Sequence, residues 1–175
     1  MRLQGKRIAI LVEEGFEDLE FWVPLMRMQE EGATVTVVGL EKGKTVHSKA
    51  GCLSARADAA ASDVRADTFD GLIVPGGWAP DKLRRYDAVK AFVRDFDDQG
   101  KTIGMICHAG LVGISAGIVR GHRATGSLGI KDDLVNAGAT WVDEPAFRDG
   151  NQVWGRVVPD IPDFCRELVT ALAGD

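Results

Sequence analysis

Four short runs of apolar, mostly β-branched residues recur along this chain, and each is followed by a stretch of different periodicity. They are Arg7 to Val12 (RIAILV), Thr34 to Val38 (TVTVV), Asp70 to Val74 (DGLIV) and Thr102 to Ile106 (TIGMI). An apolar run without polar alternation suits a strand covered on both faces, as in a parallel sheet. The stretches after the first, third and fourth runs read as helices. Leu19, Trp22, Val23 and Met26 recur at helical spacing before Gly32, with Pro24 predicting a kink or a late start. Val89, Phe92, Val93 and Phe96 make one stripe of a helix over 87–99, closed by Gly100. Leu111 to Ala116 and Lys131 to Ala137 predict two shorter helices. The last is the clearest, with Ile161, Phe164, Cys165, Leu168, Val169 and Leu172 on one stripe and Pro162 in the first turn.

The remaining segments predict further strands. Lys44 to Arg56 alternates around Ala50-Gly51 and reads as a hairpin added to the sheet edge. Ala139 to Val142 and Gln152 to Val158 flank the turn Asp149-Gly150-Asn151, with Trp141 and Trp154 read as packing residues. Strands alternating with helices throughout imply an α/β fold, an open, mostly parallel sheet with helices on both faces. At 175 residues the chain suits a single domain spanning 1–175, large enough to bury roughly 70% of the surface its unfolded form exposes.

Charge and cysteine usage exclude several functions. Lys and Arg number 21 against 26 acidic residues and are interspersed, so no positive field attracts a phosphate backbone, and no nucleic-acid partner is expected. The run Ile8 to Val12 ends in Glu13-Glu14, too short for an export segment or a membrane span, which points to a cytoplasmic protein with no membrane partner. Cys52, Cys107 and Cys165 are an odd set at wide spacing, and His47, His108 and His122 form no paired motif. Neither a disulfide framework nor a metal site is expected, and no cofactor is called for. Cys165 falls on the apolar stripe of the last helix, Cys52 in the hairpin, and His47 and His122 read as surface residues.

Cys107 is different. It sits between a buried strand and a helix, at the sheet edge where open α/β folds bind ligands, and Gly76-Gly77 reaches the same edge after its own strand. A side chain at such a turn points outward, and the helix N-terminus biases a thiol toward thiolate. Backbone N–H groups of Gly76, Gly77 and His108 are positioned to hold an oxyanion. A strict nucleophile elbow has small residues two before and two after the nucleophile; Met105 and Ala109 meet half of that pattern. Glu13, Glu14, Glu17, Asp18 and Glu20 follow the first strand at the same edge, most of them suited to solvent or a helix N-terminus, one of them able to turn inward to the cysteine.

Five motifs in order then carry a resemblance over almost the whole chain. They are Gly15-Phe16-Glu17-Asp18-Leu19-Glu20, the stretch from Val74 to Arg84 (VPGGWAPDKLR), Ile106-Cys107-His108-Ala109-Gly110, Gly129-Ile130-Lys131-Asp132-Asp133, and Pro162-Asp163-Phe164. Together they resemble the PfpI family of intracellular protease-like and general stress proteins, within the ThiJ/PfpI superfamily. The resemblance implies a flavodoxin-like three-layer sandwich of the class I glutamine amidotransferase type. It implies Cys107 as nucleophile, His108 beside it, and Glu20 as the carboxyl group that hydrogen-bonds the thiol; desolvation and like charge are expected to keep that carboxyl protonated. It further implies a homo-oligomer, dimer or higher, in which Asp81 approaches the histidine of a neighbouring subunit and completes a triad. Three features depart from the pattern: Ser127-Leu128 where relatives with peptidase claims carry a tyrosine, Ala109-Gly110 in place of Gly-Pro, and a bulky Trp78 that narrows the pocket.

The leading expectation is a stress-response cysteine enzyme acting on reactive carbonyls or their adducts, glyoxalase-like or deglycase-like. A thiolate adds to an aldehyde, and Glu20 or His108 moves the protons. The alternatives are a cysteine peptidase or amidase with a peptide substrate, and a non-catalytic oxidation sensor in which Glu20 holds an oxidised Cys107.

Overall fold

The computed structural model describes residues 1–174. In chain order the elements are β1 (Arg7–Leu11), α1 (Asp18–Glu30), β2 (Thr34–Gly39), β3 (Thr45–His47), β4 (Ser54–Arg56), β5 (Ala59–Ala60), β6 (Gly71–Val74), α2 (Ala79–Leu83) and α3 (Asp87–Asp98). They continue as β7 (Thr102–Ile106), α4 (Gly110–Ala116), β8 (Arg123–Ala124), α5 (Lys131–Asn136), β9 (Thr140–Trp141), β10 (Ala146–Asp149), β11 (Gln152–Gly155) and α6 (Ile161–Ala173).

Seven strands form the central sheet in the order β10-β11-β7-β6-β1-β2-β5. Every pairing is parallel except β10 with β11, whose hairpin supplies the antiparallel edge. All four runs become neighbouring interior strands; β1, β6 and β7 are buried on both faces and do not alternate, while β2, with Thr34 and Thr36 between its valines, is fully buried only at its end. Helices cover both faces: α1 packs beside α6 on one, α3 beside α4 on the other. The architecture is therefore the expected α/β three-layer sandwich.

Two apolar layers hold it together. Under α3, Phe92 and Phe96 meet edge to face with ring centroids 5.1 Å apart, and Phe69 joins them. On the other side α6 sits unusually close to the sheet, because β6 and β7 present glycines where it crosses. A Cβ on Gly71 would lie 2.4 Å from Leu172 Cδ2, and one on Gly104 2.5 Å from Leu168 Cδ2.

Three expectations need correction. The predicted apolar stripe of α1 is on the wrong face: Leu19, Val23 and Met26 are exposed, while Glu20, Phe21, Pro24, Leu25 and Met28 are buried. The helix carries apolar residues around most of its circumference, so periodicity alone did not choose a face. It also does not start late. It begins at Asp18 under a Glu17 cap and runs through the proline, which has no N–H to donate to the carbonyl of Glu20 four residues back. Finally, β3 and β4 form the predicted hairpin but pair only with each other, and the sheet edge is the two-residue β5. The hairpin is tied instead to the loop after β1, through Gly15 N–H to the His47 carbonyl (2.8 Å) and Lys49 N–H to the Phe16 carbonyl (2.7 Å).

The end of the chain differs in smaller ways. The predicted strand over 139–142 is reduced to β9, which pairs with β8 in a two-stranded sheet apart from the main one. Gln152 to Gly155 does enter the main sheet, but the chain then turns through a short 3₁₀ segment at Val158–Asp160 rather than extending to Val158. Among the described residues no helix is long and apolar enough to cross a membrane.

Candidate active site

Chain order places β2 on one side of β1 and β6 on the other, so the strand sequence reverses between β1 and β6. In open α/β sheets the loops leaving the carboxyl ends of the strands at such a point form the ligand crevice. Here those loops carry Glu13 to Glu20 after β1, Gly76-Gly77 after β6 and Cys107-His108 after β7.

Register then sets the geometry. Val74 pairs with Met105, so two residues further on Gly76 lies beside Cys107. Cys107 has φ 61°, and it is the one non-glycine residue with positive φ among the described residues. A cysteine in this region is strained by roughly 1–3 kcal/mol and persists only where its surroundings hold it. They do: its N–H donates to the Gly155 carbonyl at 3.1 Å and its carbonyl accepts from Ser127 N–H at 3.1 Å. The turn aims Sγ back between the loops, where the N–H groups of Gly77 and His108 interact with it. His108 Nδ1 is 3.3 Å from Sγ.

The acidic loop resolves into five separate roles. Glu13 is buried, accepting the Glu14 N–H and facing Lys44. Glu14 accepts the N–H of His47 and Asp18 that of Ala50. Glu17 caps α1, its Oε2 accepting the N–H groups of Leu19 and Glu20 at 2.8 and 2.9 Å. Glu20 alone turns inward and is fully buried, with Oε2 accepting the Gly76 N–H at 2.8 Å. Its Oε1 is buried with no well-aligned partner, and the Cys107 thiol is the side chain that interacts with the carboxyl group.

Burial and the neighbouring charge of Glu17 push the Glu20 carboxyl up to about 7, against smaller opposing effects from the thiol, the Gly76 N–H and Lys49. Burial, then the charge of Glu20 and the hydrogen bond to it, push the Cys107 thiol up to about 12. Burial and the Lys49 ammonium hold the His108 imidazole below its usual range. The expected bias of Cys107 toward thiolate is thus outweighed. The seven-residue α4 begins three residues after Cys107, while the thiol is desolvated by burial and a carboxyl group stands against the sulfur. Near neutral pH Glu20 exchanges a proton readily and the thiol keeps its own.

A second correction concerns the backbone donors. Gly76 N–H is engaged by Glu20 and is not free for an oxyanion, leaving those of Gly77 and His108. Gly76 is nonetheless required, because a Cβ there would lie 2.4 Å from Glu20 Oε2. Asp81 is not among the residues around Cys107. It lies exposed on α2, paired with Arg85 one turn later. Within one chain, therefore, the structure brings together Cys107, His108, Glu20, Gly76 and Gly77 and leaves Asp81 apart.

These groups open onto a cavity of about 340 Å³, whose walls also include Lys49, Trp78, Ser127, Val157, Val158 and Pro159. Trp78 is 63% exposed and packs on Gly15 at the mouth. Val157 to Pro159 escaped sequence reasoning, although β11 runs parallel to β7 and its following loop must reach the same edge. Lys49 carried no such signal, since its hairpin lies outside the main sheet. Of the other cysteines, Cys165 is buried on the inner face of α6 and Cys52 is exposed in the β3–β4 loop. His47 is exposed, while His122 is half-buried and bonded to Asp149 at 2.8 Å. Among the described residues no group of three or more His, Cys, Asp or Glu side chains is arranged to hold a metal ion.

The sequence profile of the DJ-1/PfpI family matches residues 6–171. "Deglycase PYRAB04690" of Pyrococcus abyssi is 39% identical over 166 residues, 95% of this chain and 99% of that protein. "General stress protein 18" of Bacillus subtilis is 39% identical over 169 residues, 96% of this chain and 98% of that protein. Among solved structures, a two-domain protein of Anabaena variabilis with a DJ-1/ThiJ/PfpI-like and a ferritin-like domain superposes with a TM-score of 0.94 at 36% identity. The match covers 95% of this chain and 50% of that one.

Proposed function

The chain belongs to the DJ-1/PfpI family, and from that premise we propose that it is a stress-response enzyme whose Cys107 thiol works on small reactive carbonyl compounds or their adducts, as a glyoxalase or deglycase does. The observation that carries the reading is the placement of Cys107 Sγ between two backbone N–H donors and a carboxyl group that titrates near neutrality. Addition of the thiol to an aldehyde forms an S–C bond, and the C=O electron pair moves onto oxygen. The Gly77 and His108 N–H groups face the charge that develops there. The thiol proton passes to Glu20 and from there to the new hydroxyl, so the group must both take and give a proton at working pH.

With a 2-oxoaldehyde, transfer of a proton from the thiol-bearing carbon to the adjacent ketone carbon, and of the hydroxyl proton to the ketone oxygen, turns the hemithioacetal into a thioester. Water cleaves it, releasing a 2-hydroxy acid and restoring the thiol, with one water consumed and no oxidant or reductant needed. The cavity suits a small molecule or a single side-chain adduct. The test is methylglyoxal turnover by the intact chain against a Cys107→Ala control. Equal rates in the two would overturn the proposal.

Amide hydrolysis would ask His108 to act as a base oriented by a third group. Asp81 is held by Arg85 instead, so that reading depends on a neighbour. We propose that the chain does self-associate through the α2 face carrying Pro80 and Asp81, and that it works in the cytoplasm, where three free cysteines are at home. The oxidation-sensing reading keeps the same residues, since the buried Glu20 carboxyl lies against the thiol that would be oxidised.

A further inference from the structure

We infer that Lys49 makes this pocket select carbonyl compounds or adducts that carry a negative charge, such as a carboxylate, over neutral ones. The inference rests on the carbonyl chemistry proposed for Cys107 and names its substrate class. Lys49 is the one lysine or arginine that lines the cavity. Its charge reaches the reacting groups, since it acts on both Glu20 and His108. No carboxylate among the described residues pairs with its ammonium group.

The two carboxyl groups in the same walls are otherwise engaged. Glu17 is held by two N–H groups at the start of α1, where the helix dipole offsets its charge. Glu20 is buried against Gly76 N–H and the thiol. An anion entering the cavity therefore meets an uncompensated cation at the rim and no free carboxylate of comparable exposure.

The root of the lysine is fixed even though its end is exposed. Its N–H donates to the Phe16 carbonyl, the preceding Ser48 is buried and bridges to Phe16, and Ser48 N–H donates to the Leu53 carbonyl at 2.9 Å. This accounts for a hairpin that joins no sheet. Its attachment to the loop after β1 carries a cation to the site, and a strand in the main sheet would hold that cation elsewhere.

Two alkylating reagents of nearly the same size test the charge directly. The rate of Cys107 modification by iodoacetate, divided by that by iodoacetamide, is measured by peptide mapping in the intact protein and in Lys49→Gln, Lys49→Glu and Lys49→Arg. The ratio should fall ~5-fold in Lys49→Gln, the size of one close charge pair in water, fall further in Lys49→Glu, and return in Lys49→Arg. In 0.5 M salt the wild-type ratio should approach that of Lys49→Gln, a response a purely structural lysine would not give. A ratio unchanged across all four proteins overturns the inference.

The same proteins are then given the methylglyoxal hemithioacetals of N-acetylcysteine and of its neutral amide, with Cys107→Ala as control. Preference for the carboxylate form, reduced in Lys49→Gln, supports the substrate class. Turnover of neither, with the alkylation ratio still dependent on Lys49, overturns the carbonyl reading and leaves the anion selectivity standing. Equal turnover of both with a flat alkylation ratio overturns the Lys49 inference alone.

Discussion

Gly76 and Cys107 stand side by side at the ends of β6 and β7, so close that a Cβ added to Gly76 would lie 2.7 Å from the Cβ of Cys107. The same added atom would meet the carboxyl group of Glu20, so one glycine keeps nucleophile and carboxyl group in contact. Gly76→Ala should cost about 2–3 kcal/mol of stability, because neither neighbour is free to move away. It should also abolish methylglyoxal turnover. Thermal unfolding and turnover measured together check this, and a fully active, fully stable alanine variant would contradict it.

The pH dependence of stability follows from Glu20. Its carboxyl is raised from 4.5 to about 7 in the folded protein, so the folded state holds the proton more tightly than the unfolded one. The stability this confers is fully present below pH 4.5 and is lost as pH rises toward and through 7, by about 3 kcal/mol. Wild type should therefore lose stability relative to Glu20→Gln between pH 5 and 8. Denaturant titrations at several pH values decide the point; parallel curves would place Glu20 outside the buried pair.

The reactivity of the thiol should respond to the same group. The charge of ionised Glu20 is among the causes that raise the Cys107 thiol, so removing it lowers the thiol's titration. Glu20→Gln should shift the pH profile of iodoacetamide labelling at Cys107 to lower pH. Glu20→Leu should shift it less cleanly, since it leaves Gly76 N–H unpaired. Coincident profiles for all three proteins would remove Glu20 from the site.

Self-association tests the place of Asp81. Light scattering at micromolar concentration should give the mass of a dimer or larger assembly, and Asp81→Lys should lower that mass. A monomer at all concentrations would remove Asp81 from the chemistry and leave His108 without a third partner.

The close seat of α6 offers a structural check away from the site. Gly104→Ala places a Cβ against Leu168 Cδ2 and should destabilise by about 1–3 kcal/mol. Leu168→Ala should cost about 2–5 kcal/mol through the cavity it leaves. The double variant should be more stable than the sum of the two losses, because the added methyl partly fills the space vacated. Strict additivity would show that the two residues do not share one packing site.

Much of this protein was legible before folding. An interior parallel strand buried on both faces is apolar throughout, so β1, β6 and β7 announced themselves, and the helices that follow these three had to cross back over the sheet. Once those strands are parallel and adjacent, the residues just beyond their ends share one edge, which placed Gly76, Gly77 and Cys107 together from sequence order alone. The tertiary structure decided what depends on a choice between locally equal alternatives. In α1, apolar residues on several faces let either side turn inward; packing beside α6 buried Phe21, Leu25 and Met28, carried Glu20 in with them, and left Leu19, Val23 and Met26 in solvent. The short hairpin buries only the cross-strand pair Val46 and Ala55, too little for its pattern to announce where it docks, and hydrogen bonds from Gly15 and Lys49 set it against the site. Those two placements govern the chemistry, because they set the charge around the sulfur. A turn in the sequence can mark where a thiol stands, but its protonation depends on groups that only folding brings within a few ångströms.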